Sequence, residues 1–233
     1  MFYKLSNTAP LKGLEKEFGL PFKFPGLYTP APVLNGLREV QLPVITMERP
    51  SEVGYGIWGL LPKEYSGEWE VYQRFSNTLN KDLTSISSIN WHSELLSPKR
   101  CLILVTGYFI SHLSQGRLYP FYVHMTNNRP FALGGIYTVL EDGFTTFSLL
   151  IGNGTNGIPT YIQNLEPMAP LVIDKENRKN WLDLSANGKN LHEMNDEMGK
   201  LDLVAHPIRE EMSYENGSYE RLGEEPVVYR AVR

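Results

Sequence analysis

The fold is decided by three apolar runs in the middle of the chain: KRCLILVTGYFI (Lys99–Ile110), PFYVHM (Pro120–Met125) and PFALGGIYTVL (Pro130–Leu140). The spacers between them, SHLSQGRLY and TNNR, are polar and rich in turn-forming residues. Short runs of β-branched and aromatic residues between turns are typical of neighbouring buried strands. The stretch therefore predicts three adjacent strands at the centre of a β-rich protein.

Further strands and helices are predicted on both sides of this stretch. Strands are expected at 40–47, 53–61, 69–75, 145–151, 170–173 and 201–208. Helices are expected at 11–18, 87–96, 174–184 and 191–198, the first capped by Thr8 and ended by Gly19. Residues 20–36, which contain four prolines, and residues 76–85 are expected to be loops. No repeat or clean linker interrupts the order, so we predict one α+β domain spanning residues 1–233.

Composition restricts the kinds of partner. The 233 residues carry a net charge of −4 with a pI of about 5.8, so bulk attraction to phosphate is absent and nucleic-acid binding needs a local basic patch. Cys101, the only cysteine, lies within CLILV and is expected to be a buried, unreactive thiol. The first residues lack a signal-peptide core, and no run reaches the ~20 apolar residues of a membrane span. We therefore expect a cytoplasmic protein without a membrane partner.

Familiar catalytic and metal-binding motifs are missing from the sequence, so no cofactor and no metal are predicted. The five histidines are scattered without metal-ligand spacing: His92, His112, His124, His192 and His206. His124 and His206 lie in predicted strands and His112 in a predicted turn, where we expect it to be solvated. Trp58, Trp69, Tyr65 and Tyr72 lie near Lys63 and Arg74. This cluster fits either a stacking platform for single-stranded nucleic acid or the core aromatics of a sheet.

A family resemblance covers nearly the whole chain. It rests on the order and spacing of eight blocks: WGLLP (58–62), NTLN (77–80), KRCLILVTGYF (99–109), YPFYVH (119–124), PFALGGIY (130–137), TFSLL (146–150), IQN (162–164) and VAHPI (204–208). In these blocks the sequence resembles the SOS-response-associated peptidase family, which processes abasic sites. The resemblance implies a barrel-like, mostly antiparallel sheet core with a few peripheral helices.

The resemblance also implies a reaction. Members of that family bind single-stranded DNA with an abasic site, and their N-terminal cysteine attacks the sugar aldehyde to give a thiazolidine crosslink. An asparagine in N-A-R-x-E, a glutamate after G-[WF]-[FY] and a histidine in I-H-x complete the site. The logic is covalent catalysis by an activated nucleophile assisted by acid–base groups.

Transferred to this sequence, most of the reactive positions are changed. The cysteine position is Phe2, the glutamate position is Ile110, the histidine position is Gln163, and Asp82 stands at the arginine that contacts phosphate. Asn80 alone retains the family residue. Replacing a carboxylate by Ile110 removes the cost of burying a charge without partners. We therefore expect the family fold without the crosslinking chemistry.

Three functions remain open at this point. The first is noncovalent binding of single-stranded or abasic DNA, with these candidate contacts: Lys4, Trp58, Lys63, Tyr65, Arg74, Asn80 and Lys81. The second is a scaffold for a protein partner, with Phe2 and Ile110 filling the old cleft. The third, catalysis by Asp82 with Thr84 or His112, has no supporting residue spacing.

Overall fold

The structure is a computed structural model that describes residues 2–83, 91–154, 157–159, 161–165, 168–183 and 202–208. The strands are β1 (Lys4–Asn7), β2 (Ala31–Asn35), β3 (Gln41–Thr46), β4 (Arg49–Trp58), β5 (Asn80–Asp82), β6 (Arg100–Val105), β7 (Gly107–Ser114), β8 (Arg117–Met125), β9 (Phe131–Val139), β10 (Thr145–Asn153), β11 (Met168–Pro170), β12 (Val172–Ile173) and β13 (Leu203–Pro207). The helices are α1 (Leu11–Phe18), α2 (Trp69–Phe75), α3 (Trp91–Leu95) and α4 (Arg178–Trp181), with a short 3₁₀ helix at Pro25–Leu27.

The larger sheet closes on itself. Its strands pair in the order β10–β4–β3–β6–β9, and β9 pairs again with β10, which completes a ring. Within the ring only β4 and β10 are parallel, and β5 adds a second parallel partner to β10. Ring closure removes the free edges that open sheets expose. The predicted β-rich, mostly antiparallel, barrel-like fold with few helices is confirmed.

The second sheet is antiparallel, in the order β13–β8–β7–β1–β2. Its centre is the β7–β8 hairpin, which pairs from Gly107 with His124 to Ser114 with Arg117. The run KRCLILVTGYFI, predicted as one strand, is therefore two strands, β6 in the ring and β7 in this sheet. The chain changes sheet at Gly107, where a Cβ atom would lie 2.5 Å from the backbone oxygen of Val123. Only glycine permits that close approach.

Two large apolar clusters occupy opposite faces of the ring strands. One contains residues of both sheets, among them Trp58, Tyr108 and Phe147. The other lies beneath α1 and α4 and includes Leu14 and Trp181. The prediction that Cys101 is buried is confirmed, since its side chain is fully enclosed and burial raises the pKa of the thiol.

Five local predictions are wrong. Residues 69–75 form helix α2 and not a strand, because WEVYQRF also places Trp69 and Tyr72 three positions apart on one helix face. The loop expected at 20–36 contains β2, and the loop expected at 76–85 contains β5.

Thr8 does not cap α1; Pro10 precedes the helix, and the Thr8 backbone N–H donates to Thr106. His112 is buried in β7, where it lies close to the carbonyl oxygen of Ile162.

Other predictions agree with the structure or lie beyond its described part. Gly19 ends α1 in the left-handed conformation at φ 69°. The helix expected at 191–198 lies outside the described residues, as do His192 and Thr84. Among the described residues, no helix combines the length and apolar character needed to cross a membrane. The same residues contain no group of metal-ligating side chains suited to a metal ion.

Candidate functional site

The candidate site is built at the amino end of the chain, beside β1. Phe2 is only 7% exposed and belongs to the buried cluster shared by the two sheets. Its ring contacts Tyr108 edge to face, with the ring centroids 5.8 Å apart. Tyr108 lies on β7, directly opposite Leu5 of β1. The pairing of β1 with β7 therefore places the second residue of the chain in the core.

Ile110 lies two residues beyond Tyr108 on the same strand and faces the same cluster. It is 6% exposed, and β7 pairs it with Phe121 of β8. Phe2 and Ile110 thus belong to one continuous apolar cluster. Side chains of this kind bind neither protons nor phosphate, so this part of the site has a packing role.

Asn80 closes the site from the other sheet. Its Nδ2 atom donates a hydrogen bond of 2.6 Å to the backbone oxygen of Phe2. Its Oδ1 atom is buried and has no hydrogen-bond partner in the described part of the chain. A buried amide oxygen without a partner costs free energy. Asn80 is held in this position despite that cost by its hydrogen bond to Phe2 and by the pairing of β5.

Gln163 is placed by the segment that follows β10. The side-chain amide of Asn164 makes two hydrogen bonds with the backbone of Leu113 on β7, as a paired strand residue would. Its Oδ1 accepts from the Leu113 N–H and its Nδ2 donates to the Leu113 oxygen, both at 2.8 Å. His112 Nδ1 lies 3.1 Å from the Ile162 oxygen, and a carbonyl can only accept, so that nitrogen carries the proton. Gln163 is buried, and its Nε2 donates to the Met168 oxygen.

The three residues of β5 do not share a face. Asn80 pairs with Leu149 of β10 and Lys81 with Leu150, and these leucines belong to the two different apolar clusters. Lys81 therefore points away from Asn80, while Asp82 returns to the face of Asn80. Burial lowers the pKa of the Lys81 ammonium. Burial first, and then the Lys81 charge, lower the pKa of His92 to about 4.

The expectation that Trp58 contributes to an exposed stacking platform is wrong. Its side chain is fully buried, and its Nε1 donates a hydrogen bond of 2.9 Å to the Leu79 oxygen. The indole thus anchors the segment that leads into Asn80. For Trp58, the interpretation of the aromatic cluster as core residues of a sheet is therefore correct.

The remaining candidate contacts are exposed (Lys63 and Arg74) or half-buried (Lys4 and Tyr65). Arg74 pairs with Glu70 one helical turn away at 3.8 Å. Tyr65 packs edge to face on Tyr72 with centroids 4.9 Å apart. Lys4, on β1, extends its ammonium over the ring of Tyr3 at 5.4 Å.

One exposed residue beside these contacts is not found by sequence reasoning. Phe75, the last residue of α2, is 89% exposed. Treating residues 69–75 as a strand hides this, because alternation would place Phe75 on the same face as the buried Trp69. A helical reading of WEVYQRF separates the two residues.

These features define a class: a two-sheet β protein with a ring of strands, whose amino end is inserted beside an asparagine on a short parallel strand. The chain belongs to the SOS response associated peptidase (SRAP) family, whose model matches residues 4–214. Among curated proteins, none matches this sequence.

Solved structures support the fold. A crystal structure of a protein from Bacteroides thetaiotaomicron superposes with a TM-score of 0.76 at 21% identity, covering 90% of this chain and 93% of that one. A protein from Bordetella bronchiseptica gives 0.68 at 15% identity, covering 89% and 99%. A phage-related protein from the same organism gives 0.61 at 14% identity, covering 89% and 94%. At these identities the likeness concerns the fold alone.

Proposed function

We propose that this chain is a non-crosslinking member of its family. The observation that carries the proposal is the burial of Phe2 at the position that the resemblance assigns to the cysteine nucleophile. Its backbone oxygen is bonded to Asn80, and Ile110 extends the same apolar cluster. A phenyl ring supplies no thiolate, and an amino end tethered to the core is poorly placed to reach a sugar aldehyde.

The crosslinking part of the proposal is tested on denaturing gels. The protein is incubated with a single-stranded oligonucleotide that carries an abasic site, beside a relative that keeps the N-terminal cysteine. We expect a denaturation-resistant adduct from the relative and none from this chain. An adduct that this chain forms, and that is lost after chemical blocking of its amino end, would contradict the proposal.

Noncovalent binding of single-stranded DNA is the function we infer for the retained fold. Family membership supports DNA as the ligand class, and residues 63–75 offer two cations, Lys63 and Arg74, and two aromatic rings, the exposed Phe75 and the half-buried Tyr65. Aromatic side chains stack on bases regardless of sequence, and each base is worth ~1–3 kcal/mol. A cytoplasmic location belongs to the same proposal.

Charge limits the strength of such binding. Residues 63–75 carry two cations and three carboxylates, which gives a local net charge of −1 within a chain of net charge −4. Few counterions are then released when DNA binds, because phosphate contacts set the salt dependence of affinity. We therefore expect weak binding with a shallow salt dependence, carried mainly by stacking on Phe75 and Tyr65.

Fluorescence anisotropy with labelled intact and abasic single strands tests this function at low salt. Phe75→Ala should weaken binding about fivefold or more, as expected from the loss of one stacked base. Leu118→Ala, which truncates another large exposed apolar side chain on β8, is the matched control and should bind as the wild type does. Absence of binding at the highest soluble protein concentration would rule out the DNA function.

A protein-partner role is the second candidate, and the filled site favours it. Phe2 and Ile110 give the amino end a packing role, and α2 exposes Phe75 and Val71 on an acidic surface. Its test is affinity capture with the wild type, Phe75→Ala and Leu118→Ala. A partner retained by the wild type and Leu118→Ala, but lost from Phe75→Ala, supports this role when DNA binding is absent. Equal capture by all three proteins contradicts it.

A further inference from the structure

A groove of about 250 Å³ opens away from the amino-terminal site. It lies between the β3–β4 hairpin, the segment around Phe24 and the turn that joins β9 to β10. Its lining includes neither Phe2, Asn80, Ile110 nor Gln163. The groove is therefore a separate feature of the fold.

The walls of the groove are apolar and unusually exposed. Phe24, Leu27 and Phe144 line it and are 52%, 65% and 55% exposed, respectively. Val44 and Ile57, both members of the core cluster, also contribute to the lining. Convergence of large apolar side chains on one concave site, with a few polar groups, is the usual composition of a small-molecule pocket.

Hydrogen bonds fix the backbone of each wall. The Phe144 N–H donates to Asp142 Oδ1 at 3.1 Å, and the Phe144 oxygen accepts from the Leu140 N–H at 2.8 Å. On the opposite wall, the Tyr55 hydroxyl donates to the Phe24 oxygen at 3.0 Å. The backbone segments that carry the two aromatic rings are thus held in place, so a ligand would bind to a largely preformed site.

The polar groups at the rim favour an anion. Lys23 Nζ and Arg49 Nη1 lie 3.6 and 4.0 Å from the same Glu52 oxygen. Both are ion pairs longer than a hydrogen bond, and Lys23 Nζ also lies over the ring of Phe24, 5.3 Å from its centroid. The second rim carboxylate, Asp142, accepts from the Phe144 backbone. Two cations with available donors therefore share one carboxylate.

We propose that this groove binds an amphipathic organic anion. The flat, apolar body of the ligand lies between Phe24 and Phe144, and its carboxylate, sulfonate or phosphate accepts hydrogen bonds from Lys23 and Arg49. The apolar walls supply affinity by burying hydrophobic area, and the two cations supply the preference for a negative charge.

A pair of fluorescent probes tests both halves of the proposal. Anilinonaphthalene sulfonate carries the anionic group, and the uncharged N-phenyl naphthylamine provides a similar aromatic body without it. The double variant Lys23→Ala/Arg49→Ala should weaken sulfonate binding about tenfold or more, because charge-assisted hydrogen bonds are lost. The same variant should change naphthylamine binding much less, because the uncharged probe makes no charge-assisted hydrogen bonds. Glu52→Gln should act in the opposite direction and strengthen sulfonate binding.

Gly54 offers a way to fill the groove. It lines the groove, and the nearest heavy atom to a Cβ built there is the Val44 oxygen at 3.9 Å, so a side chain has room. Gly54→Leu should abolish binding of both probes, while Leu118→Ala on β8 should leave both unchanged. Urea titration verifies folding; if Gly54→Leu is unfolded, Phe144→Ala replaces it and should weaken both probes about fivefold.

Two outcomes overturn the proposal. Charge variants that change both probes equally would show that Lys23 and Arg49 do not recognise the anion. A folded Gly54→Leu variant, or Phe144→Ala in its place, that binds both probes as the wild type does would place the probes elsewhere.

Discussion

Asn80 Nδ2 lies 2.6 Å from the backbone oxygen of Phe2, and this hydrogen bond joins the strand β5 to the amino end of the chain. Asn80 pairs through its backbone with Leu149, which belongs to the ring of strands. Phe2 lies just before β1, which belongs to the second sheet. The bond therefore connects the two sheets at the candidate site. It also fixes where the second residue of the chain can lie.

Asn80→Asp tests this connection. The substitution replaces a donor by a carboxylate that faces a carbonyl oxygen, so we expect a loss of ~1–3 kcal/mol in unfolding free energy at neutral pH. Repulsion and burial should raise the pKa of the new carboxyl in the folded state. Stability relative to wild type should then recover as pH falls and the group is protonated.

The control for that substitution is Asn77→Asp. Asn77 Oδ1 accepts a hydrogen bond from the Leu79 N–H, and an aspartate preserves this acceptor. We expect a change within ~0.5 kcal/mol, as for other surface substitutions. Equal effects of the two substitutions in urea titrations would contradict a specific role for the bond between Asn80 and Phe2.

Phe2→Ala should destabilise the protein through loss of packing. The ring is 7% exposed and contacts Tyr108, and truncating a buried phenylalanine costs ~3–5 kcal/mol. We expect the low end of that range, since Phe2 is near the chain terminus and its neighbours can relax. Leu118→Ala, at 58% exposure, should change the urea midpoint little. A loss below about 1 kcal/mol would show that the amino end is not an integral part of the core.

The pair formed by His124 and His206 should make the protein sensitive to acid. His124 Nε2 lies 3.2 Å from His206 Nδ1 across β8 and β13, and His124 Nδ1 lies 2.9 Å from the Met125 oxygen. The carbonyl can only accept, so Nδ1 of His124 is protonated and its Nε2 accepts from His206. Burial first, and then His206, lower the pKa of His124; hydrogen bonds with the Met125 backbone and then with the Asn128 side chain oppose this.

The direction of the pH effect follows from that shift. A histidine whose pKa is lowered by folding takes up its proton more readily in the unfolded chain, so stability falls as pH drops below about 6.5. His92, whose pKa is lowered to about 4, adds to the same trend. Urea midpoints measured between pH 8 and pH 5 should fall for the wild type. They should fall less for His124→Gln; an unchanged slope would contradict the role of the pair.

Arg100→Lys should be strongly destabilising although it preserves the charge. Arg100 is 1% exposed, and its guanidinium donates to the backbone oxygens of Leu96, Ser97, Trp181 and Asp183. A lysine cannot reproduce this planar fork, so several buried carbonyls lose their donors. We expect a loss of about 3 kcal/mol in unfolding free energy. Arg117→Lys, at an exposed position on β8, serves as the control.

Much of the fold could be predicted because its strands are strongly patterned. The apolar runs around Ile103, Val123 and Leu133 form strands as expected, and Gly19 ends α1 as glycine does after many helices. Failures concentrate where one pattern fits two structures. WEVYQRF satisfies alternation and helical spacing alike, and the prolines of residues 20–36 tolerate an edge strand as well as a loop.

The sequence nominates residues for the candidate site but does not predict their orientation. The family resemblance nominates Phe2, Asn80, Ile110 and Gln163, yet only the pairing of β5 with β10 shows that Lys81 points away from Asn80. Burial of Trp58 is likewise a property of the packed sheets. The groove beside Phe144 left no sequence signal, since its lining comes from segments far apart in the chain.

Residue types and their local order are enough to predict the strand-rich character and the family, and they place phenylalanine, not a thiol, at the second position. Packing in three dimensions sets which side chains are buried, where the apolar run divides at Gly107, and the enclosure of Phe2 in the core. The physical reason is that a strand or helix has two faces. Which face meets the core depends on elements that the local sequence does not contain.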